Sequence, residues 1–342
     1  MKKIILATLA AAALVACAQE DVVVAPKGEA IAFDNAFVDN TTKAIDPSIT
    51  TSTLDNFLVY GTTQGDHVDN APIVRIFDGV TVTGTDVTDG NVTTRSWGYT
   101  ENYTQYWIDG NKYNFAAIKN GYVTSFANEL PETISYTADG NTDLLYAEAK
   151  NIEGNQTGNG PVTFTFDHLL SKAVFTFTNT TSDDVDTEYY YKVEGITISG
   201  LSSKANYTVS NKTWTETEAG HVASFGNIVA DDTIADAVPV NEEKTLSSNY
   251  QRLLIPGTRN VTISCTITLY YGSDDKVVDV INYSKTMDLT LVKGTAYSFN
   301  LQAGLNDPIK FTVSKVEGWN DPATVVPNVP QPDHDNIPDT NN

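Results

Sequence analysis

The residue with the most defined chemistry is Cys17. It follows Leu14-Val15-Ala16 at the end of an apolar stretch, Ile4 to Leu14, which is itself preceded by Met1-Lys2-Lys3. A short cationic segment followed by an apolar run too short to cross roughly 30 Å of hydrocarbon marks a secretory signal. A small residue directly before the cysteine resembles the bacterial lipobox, where the thiol receives diacylglycerol as a thioether and signal peptidase cuts in front of it. An ordinary signal peptide with a chance cysteine is the alternative. On the lipobox reading residues 1–16 are removed. Several acyl chains on Cys17, at about 0.8 kcal/mol per buried methylene, then hold the precursor on the outer membrane.

Other reactive residues are sparse. Cys265 lies in Val261 to Tyr271, where apolar and hydroxyl residues alternate through Leu269, so it is read as a small core residue of a half-buried strand. The four histidines, His67, His168, His221 and His334, are scattered, and Asp333-His334-Asp335 lies in a tail that imposes no coordination geometry. The acidic run Ser182 to Glu188 lacks the glycine and the terminal glutamate spacing of a calcium loop. No G-x-S-x-G, G-x-x-x-x-G-K-[ST], H-E-x-x-H or C-x-x-C motif occurs. These residues imply no catalytic site, no metal and no cofactor. Trp97, Tyr99, Tyr106 and Trp107 crowd one stretch. Exposed, they would stack on sugar rings; buried, they would be core.

The elements that must position these residues are strands. Threonine occupies 45 of the 342 positions, hydrophobic residues make up 41% and charged residues 19%. Helix-forming stretches are missing after residue 16, which excludes helical bundles and βαβ nucleotide-binding folds. A net charge of -22 with four arginines argues against nucleic acid as a partner. Short alternating runs are punctuated by turn dipeptides every 8 to 12 residues or so, the spacing of antiparallel sandwiches. Asp109-Gly110 and Asn120-Gly121 are read as hairpin signals around Lys112 to Lys119. The glycine-rich segment Asn151 to Pro161 is the best domain boundary. The expected organisation is a tether over 17–28, β-sandwiches over 29–155 and 156–319, and a proline-rich acidic tail over 320–342.

Several blocks, taken in order, resemble Bacteroidales fimbrillins of the FimA/Mfa-like type. They are Ile31-Ala32-Phe33 leading to Asn40 to Ala44, Leu54 to Gly61, Tyr106-Trp107 with Tyr113 to Ala117, Asp143 to Ala147, Phe164 to Lys172, Gly294 to Leu301, and Val316 to Trp319. The resemblance spans about residues 29 to 319. It implies an all-β chain of two tandem transthyretin-like antiparallel β-sandwich domains, exported as a lipoprotein. It further implies proteolytic trimming after a basic residue and polymerisation with other fimbrial subunits by donor-strand exchange, in support of adhesion to host or bacterial surface ligands.

The residues admit the same reading on physical grounds. Ile31, Phe33 and Phe37 mark an apolar strand just before Lys43-Ala44, in a stretch poor in basic residues. Removing a first strand would strip apolar side chains from a groove and leave backbone groups unpaired, a template for an added strand. Lys43 as a solvated loop lysine is the alternative. The tail offers Ala323 to Pro330 as a donor segment, in which Pro327 and Pro330 each delete a ladder hydrogen bond. A surface glycan-binding lipoprotein using Trp97, Tyr99, Tyr106 and Trp107 is the rival function.

Overall fold

Alternation of threonine and serine with valine, isoleucine and phenylalanine suits half-buried strands, and strands dominate the computed structural model. It describes residues 28–38, 49–50, 52–65, 70–90, 92–155, 158–180, 189–228, 246–247, 250–272, 276–305 and 307–316. The first nine strands are β1 (Phe33–Val38), β2 (Asn56–Gln64), β3 (Ile73–Asp89), β4 (Val92–Gly98), β5 (Lys112–Lys119), β6 (Tyr122–Ala127), β7 (Leu130–Thr137), β8 (Leu145–Glu153) and β9 (Val162–His168). The second nine are β10 (Ser171–Asn179), β11 (Tyr189–Thr208), β12 (Thr213–Ile228), β13 (Leu246–Ser247), β14 (Arg252–Leu254), β15 (Gly257–Tyr271), β16 (Lys276–Leu291), β17 (Ala296–Gly304) and β18 (Asp307–Val316).

Three sheets form. The first has the order β1-β9-β8-β5-β2-β3-β4. The second runs β13-β10-β17-β18 with β14 beside β10, and the third runs β16-β15-β11-β7-β6 with β12 beside β11. Among the described residues the ladders are antiparallel, except that β1 pairs with β9 and β10 with β17 in parallel. The all-β antiparallel expectation therefore holds, with two parallel junctions that alternation does not encode.

Each sheet interface is an apolar core. The first sheet curls around Phe33, Phe57, Phe77, Trp107, Phe115, Phe164 and their neighbours. The second and third sheets enclose Phe175, Phe225, Ile263, Cys265, Phe299 and theirs. A third core, built from Tyr60, Ile118, Ile134, Tyr136, Tyr207 and Leu253, joins the outer face of the first sheet to β7 and the C-terminal half of β11. Strand β11 serves two cores because it bends. Ile198 and Leu201 lie in the C-terminal core while Ala205 and Tyr207 lie in the joining one. Between them Gly200 has φ of 82°, and a Cβ there would sit 2.7 Å from the carbonyl oxygen of Asn260.

Sheet membership departs from the sequence reading at two places. Strand β9, beyond the polar stretch 151–161, still belongs to the first sheet, whereas β6 and β7, before it, belong to the third. The chain thus crosses between sheets rather than switching once at 155/156. Asn120-Gly121 also closes no hairpin, since β5 and β6 lie in different sheets. A Cβ on Gly121 would lie 2.6 Å from Ile134 and 2.8 Å from Leu144, so glycine there lets the chain pass through the joining core. Asp109-Gly110 likewise leads into β5 from an irregular segment, with Asn111 N–H donating to the Ile108 carbonyl at 3.2 Å.

Cys265 sits on β15 opposite Tyr283 of β16, and burial pushes its thiol up to about 12. The native protein is expected to resist alkylation at Cys265 in mildly alkaline buffer and to become fully reactive on unfolding. Mass spectrometry of iodoacetamide-treated protein, with and without denaturant, measures this.

Candidate functional site

The residues with functional weight converge on one strand. β1 occupies the edge of the first sheet, in parallel with β9: Phe33 faces Val162, Asp34 faces Thr163, Phe37 faces Thr165 and Val38 faces Phe166. The register breaks between Asp34 and Phe37, a bulge that turns both Phe33 and Ala36 inward. On the other flank the segment leading into β1 meets the stretch after β4. Ile31 N–H donates to the Gln105 carbonyl at 2.8 Å, Trp107 N–H donates to the Glu29 carbonyl at 3.0 Å, and the Tyr99 hydroxyl donates to the Ile31 carbonyl. Residues 29–38 therefore fill the opening of a curled sheet, bonded on both flanks.

Phe33 is 2% exposed. Its ring lies 5.4 Å from Phe77, 5.6 Å from Tyr99, 5.8 Å from Phe115 and 5.9 Å from Phe164, centroid to centroid. Those rings belong to β3, the post-β4 segment, β5 and β9, so one side chain contacts most of the sheet. With β1 gone, the site would be an apolar trough walled by these four rings. Its β9 side would carry unpaired backbone from Val162 to Phe166, because β1 is the described partner of that flank of β9. Such a trough binds an extended chain: the backbone supplies affinity and the ring-lined pocket selects side chains.

A buried hydrogen-bonded carboxylate anchors the chain downstream. Asp143, 1% exposed, accepts a hydrogen bond from Ile49 N–H at 2.9 Å and another from His168 Nδ1 at 2.7 Å. His168 is the last residue of β9. The carboxylate therefore ties the far end of the groove wall to the chain that follows the first strand. Asp143 lies in the block Asp143 to Ala147, but nothing in its sequence setting distinguishes it from a turn acid. The only signal was an acidic residue immediately before the buried run Leu144 to Ala147.

The other expected residues distribute as follows. Cys17, Lys43 and Ala44 lie outside the described residues, as do Trp319, the acidic run Ser182 to Glu188 and the tail. For Phe37 the backbone pairing is described and the side chain is not. In sequence Lys43 lies midway between Val38, the end of β1, and Ile49, the anchored residue. Among the four clustered aromatics, Trp107 is 1% exposed and packs edge-on against Tyr113 at 4.7 Å. Trp97 leans on Phe57 at 5.0 Å, Tyr99 walls the Phe33 pocket, and Tyr106 is half-buried and bridges to Ala30. Tyr99, Tyr106 and Trp107 thus line the seat of the first strand, and no shared exposed platform forms. Among the described residues no group of histidine, cysteine and acidic side chains could hold a metal.

Comparison with known proteins adds the decisive observation. The model of the fimbrillin-like family matches residues 42–319. The chain belongs to the fimbrillin-like family. Similar solved structures include a fimbrial protein from Bacteroides vulgatus ATCC 8482, with 20% identity, a TM-score of 0.53, and coverage of 83% of this chain and 99% of that one. A proposed cell adhesion protein from Bacteroides uniformis ATCC 8492 has 16% identity, a TM-score of 0.45, and coverage of 85% and 98%. A fimbrial assembly protein from Parabacteroides distasonis ATCC 8503 has 14% identity, a TM-score of 0.38, and coverage of 87% and 100%. The first of these likenesses shows that this fimbrillin-like chain shares its fold with a fimbrial protein. No curated protein matches it significantly.

Two variants probe the two ends of the site. Phe33→Ala removes a fully enclosed aromatic side chain and should cost about 3–5 kcal/mol of stability in the first sheet. Its signature is faster amide exchange along Val162 to Phe166 with the C-terminal core unaffected. Asp143→Ala removes the carboxylate shared by the Ile49 N–H and His168 Nδ1, costing about 1–3 kcal/mol at the Ile49 amide. Exchange at Ile49 should then rise while β1 stays protected, and equal protection in that variant would show that the carboxylate anchors nothing.

Proposed function

We propose that this fimbrillin-like chain is a structural subunit of a surface fimbrium, with no catalytic step of its own. It is exported on its signal, acylated at Cys17 and held at the outer membrane as a precursor. A protease cuts at Lys43-Ala44, β1 leaves, and a strand of another subunit enters its place. Successive exchanges build a polymer that supports adhesion at the cell surface. The single observation that carries this reading is the seat of Phe33. It is a fully buried aromatic on an edge strand, and the chain is anchored again at Ile49, with Lys43 between the two in sequence.

Mechanically, the cut makes an intramolecular strand dissociable. Before it, β1 is tethered and its local concentration is high, so a competing strand is excluded. Afterwards the residues 29–43 can diffuse away, and a partner strand is held by the same ring pocket and the same backbone edge. A replacement needs an apolar residue at the Phe33 position and a second one three residues on, where the bulge brings Ala36 inward. Val326 and Val329 of the tail have that spacing, with Pro327 between them. Proline is tolerated at bulges, so Pro327 is compatible with a donor at this point of the groove.

The Lys43→Ala variant tests the reading. It is expected to fold, to remain membrane-bound and to keep β1, while failing to enter protease-resistant polymers sheared from the cell surface. A normal polymer ladder from that variant would refute cleavage at Lys43-Ala44. Acyl mass on a peptide beginning at Cys17 tests the anchor independently.

A further inference from the structure

Strand β16 presents a second edge, far from the Phe33 seat in sequence and on a different sheet. It pairs with β15 from Leu291 opposite Gly257 to Lys276 opposite Tyr271, and no described strand pairs with its outer side. Its first seven residues are all exposed, including Val277 at 51%, Val280 at 51% and Ile281 at 36%. Soluble proteins guard such edges with proline, coverage, bulges or charge. β16 contains no proline, and its one bulge, at Val278, lies near the end of the strand. Its only charged residues are Lys276, Asp279, Lys285 and Asp288.

The order of those charges is the informative feature. In an antiparallel pair of identical strands centred on Asn282, Asp279 of each copy stands opposite Lys285 of the other. Ile281 stands opposite Tyr283, Val280 opposite Ser284, and Asn282 opposite itself. The bulge at Val278 leaves Lys276 one position from Asp288 of the second copy. Centring on Asp279 or Lys285 instead sets like charges against each other. Opposed residues in the Asn282 register also have the same parity, so the core-facing sides of both copies fall on one side of the joined sheet. Charges that would merely repel neighbours need no such symmetry.

We propose that β16 is a homotypic docking edge. Two copies of this chain pair their β16 strands antiparallel about Asn282, continuing the third sheet across a two-fold axis. The pairing uses neither β1 nor Lys43, so it adds a contact between subunits that is independent of exchange in the first sheet. Ile281 against Tyr283, twice per dimer, supplies the apolar cross-strand contact, and the Asp279–Lys285 pairs fix the register.

Sedimentation velocity of the full chain carrying Cys17→Ala is the test. A monomer–dimer equilibrium that weakens with added salt is expected. D279K alone or K285D alone places like charges opposite each other twice per dimer and should weaken association roughly tenfold. The double variant D279K/K285D should restore it. Mixing the two single variants should restore it too, since every contact in the mixed dimer is again between opposite charges. Asn282→Cys should form a disulfide-linked dimer under mild oxidation, because that residue faces itself within bonding distance. Ser284→Cys should not, its two copies lying about 13 Å apart. The only other cysteine left, Cys265, is buried. A wild-type chain that stays monomeric, or single variants that associate as well as wild type, would overturn the proposal. So would association that ignores the charge swaps and is lost on removing residues 317–342, which would place the tail at the interface.

Discussion

The first sheet depends on one side chain being where it is. Phe33 contacts rings from β3, β5, β9 and the segment after β4, so the curl of the sheet and the content of its core are settled together. A curled sheet of seven strands must either close or leave an edge over its core. Here closure comes from a short strand bonded to β9 on one flank and to residues 99–107 on the other. A strand so placed contributes much of the local burial yet crosses no other element, and it can depart without unthreading the chain.

The proposed departure of β1 requires the rest of the sheet to hold its shape, and the arrangement of the remaining cores supplies the means. Beyond β9, Leu169 and Leu170 are fully buried in the joining core, and the Trp214 indole N–H donates to the Leu169 carbonyl at 3.0 Å. At its end β9 is bound to β8 and, through His168, to Asp143. The wall of the groove is thus fixed at its C-terminal end by contacts that do not include β1. The C-terminal core, around Phe175 and Phe299, shares no described side chain with the first core. Loss of Phe33 is therefore confined to one sheet, a condition that the proposed exchange of β1 requires.

Much of this was legible in the residues, and the limits have physical reasons. Alternation around Cys265, Phe164 and Phe311 placed their strands and the face each buries, since period two is a local property of the backbone. Ile31 and Phe33 were marked as a first strand by apolar spacing alone. Alternation says that a side chain faces a core but not which core. For that reason chain order alone groups β9 with the C-terminal strands, and β6 and β7 with the N-terminal ones. Asn120-Gly121 carries the composition of a tight hairpin, yet its glycine serves close packing against Ile134 and Leu144. Asp143 was invisible as an anchor because its partners, Ile49 and His168, lie 94 and 25 residues away. Of the clustered aromatics, sequence showed the cluster and the fold showed its use: three of them surround the strand that precedes them by some seventy residues, as the 68-residue span from Tyr99 to Ile31 illustrates.

The edges of the two sheets are built differently, and the difference bears on what each could bind. At β1 the edge is apolar inward and interrupted by a bulge, so a strand there is held mainly by side chains in pockets and the backbone ladder is short. The hold on β1 then resides in a few rings, and the proposed exchange would have to draw Phe33 out of them. At β16 the ladder is long, no described strand covers its outer backbone, and the inward residues near its exposed end are only lightly covered. Association there rests on main-chain hydrogen bonds whose register must come from charge, because isolated backbone edges pair in any register. Pocketed side chains make a contact that is slow and committed; an open edge with symmetric charges makes one that is fast and responsive to salt. On the proposed reading, a subunit with one edge of each kind would bind a successor persistently through the first sheet and associate reversibly through the third.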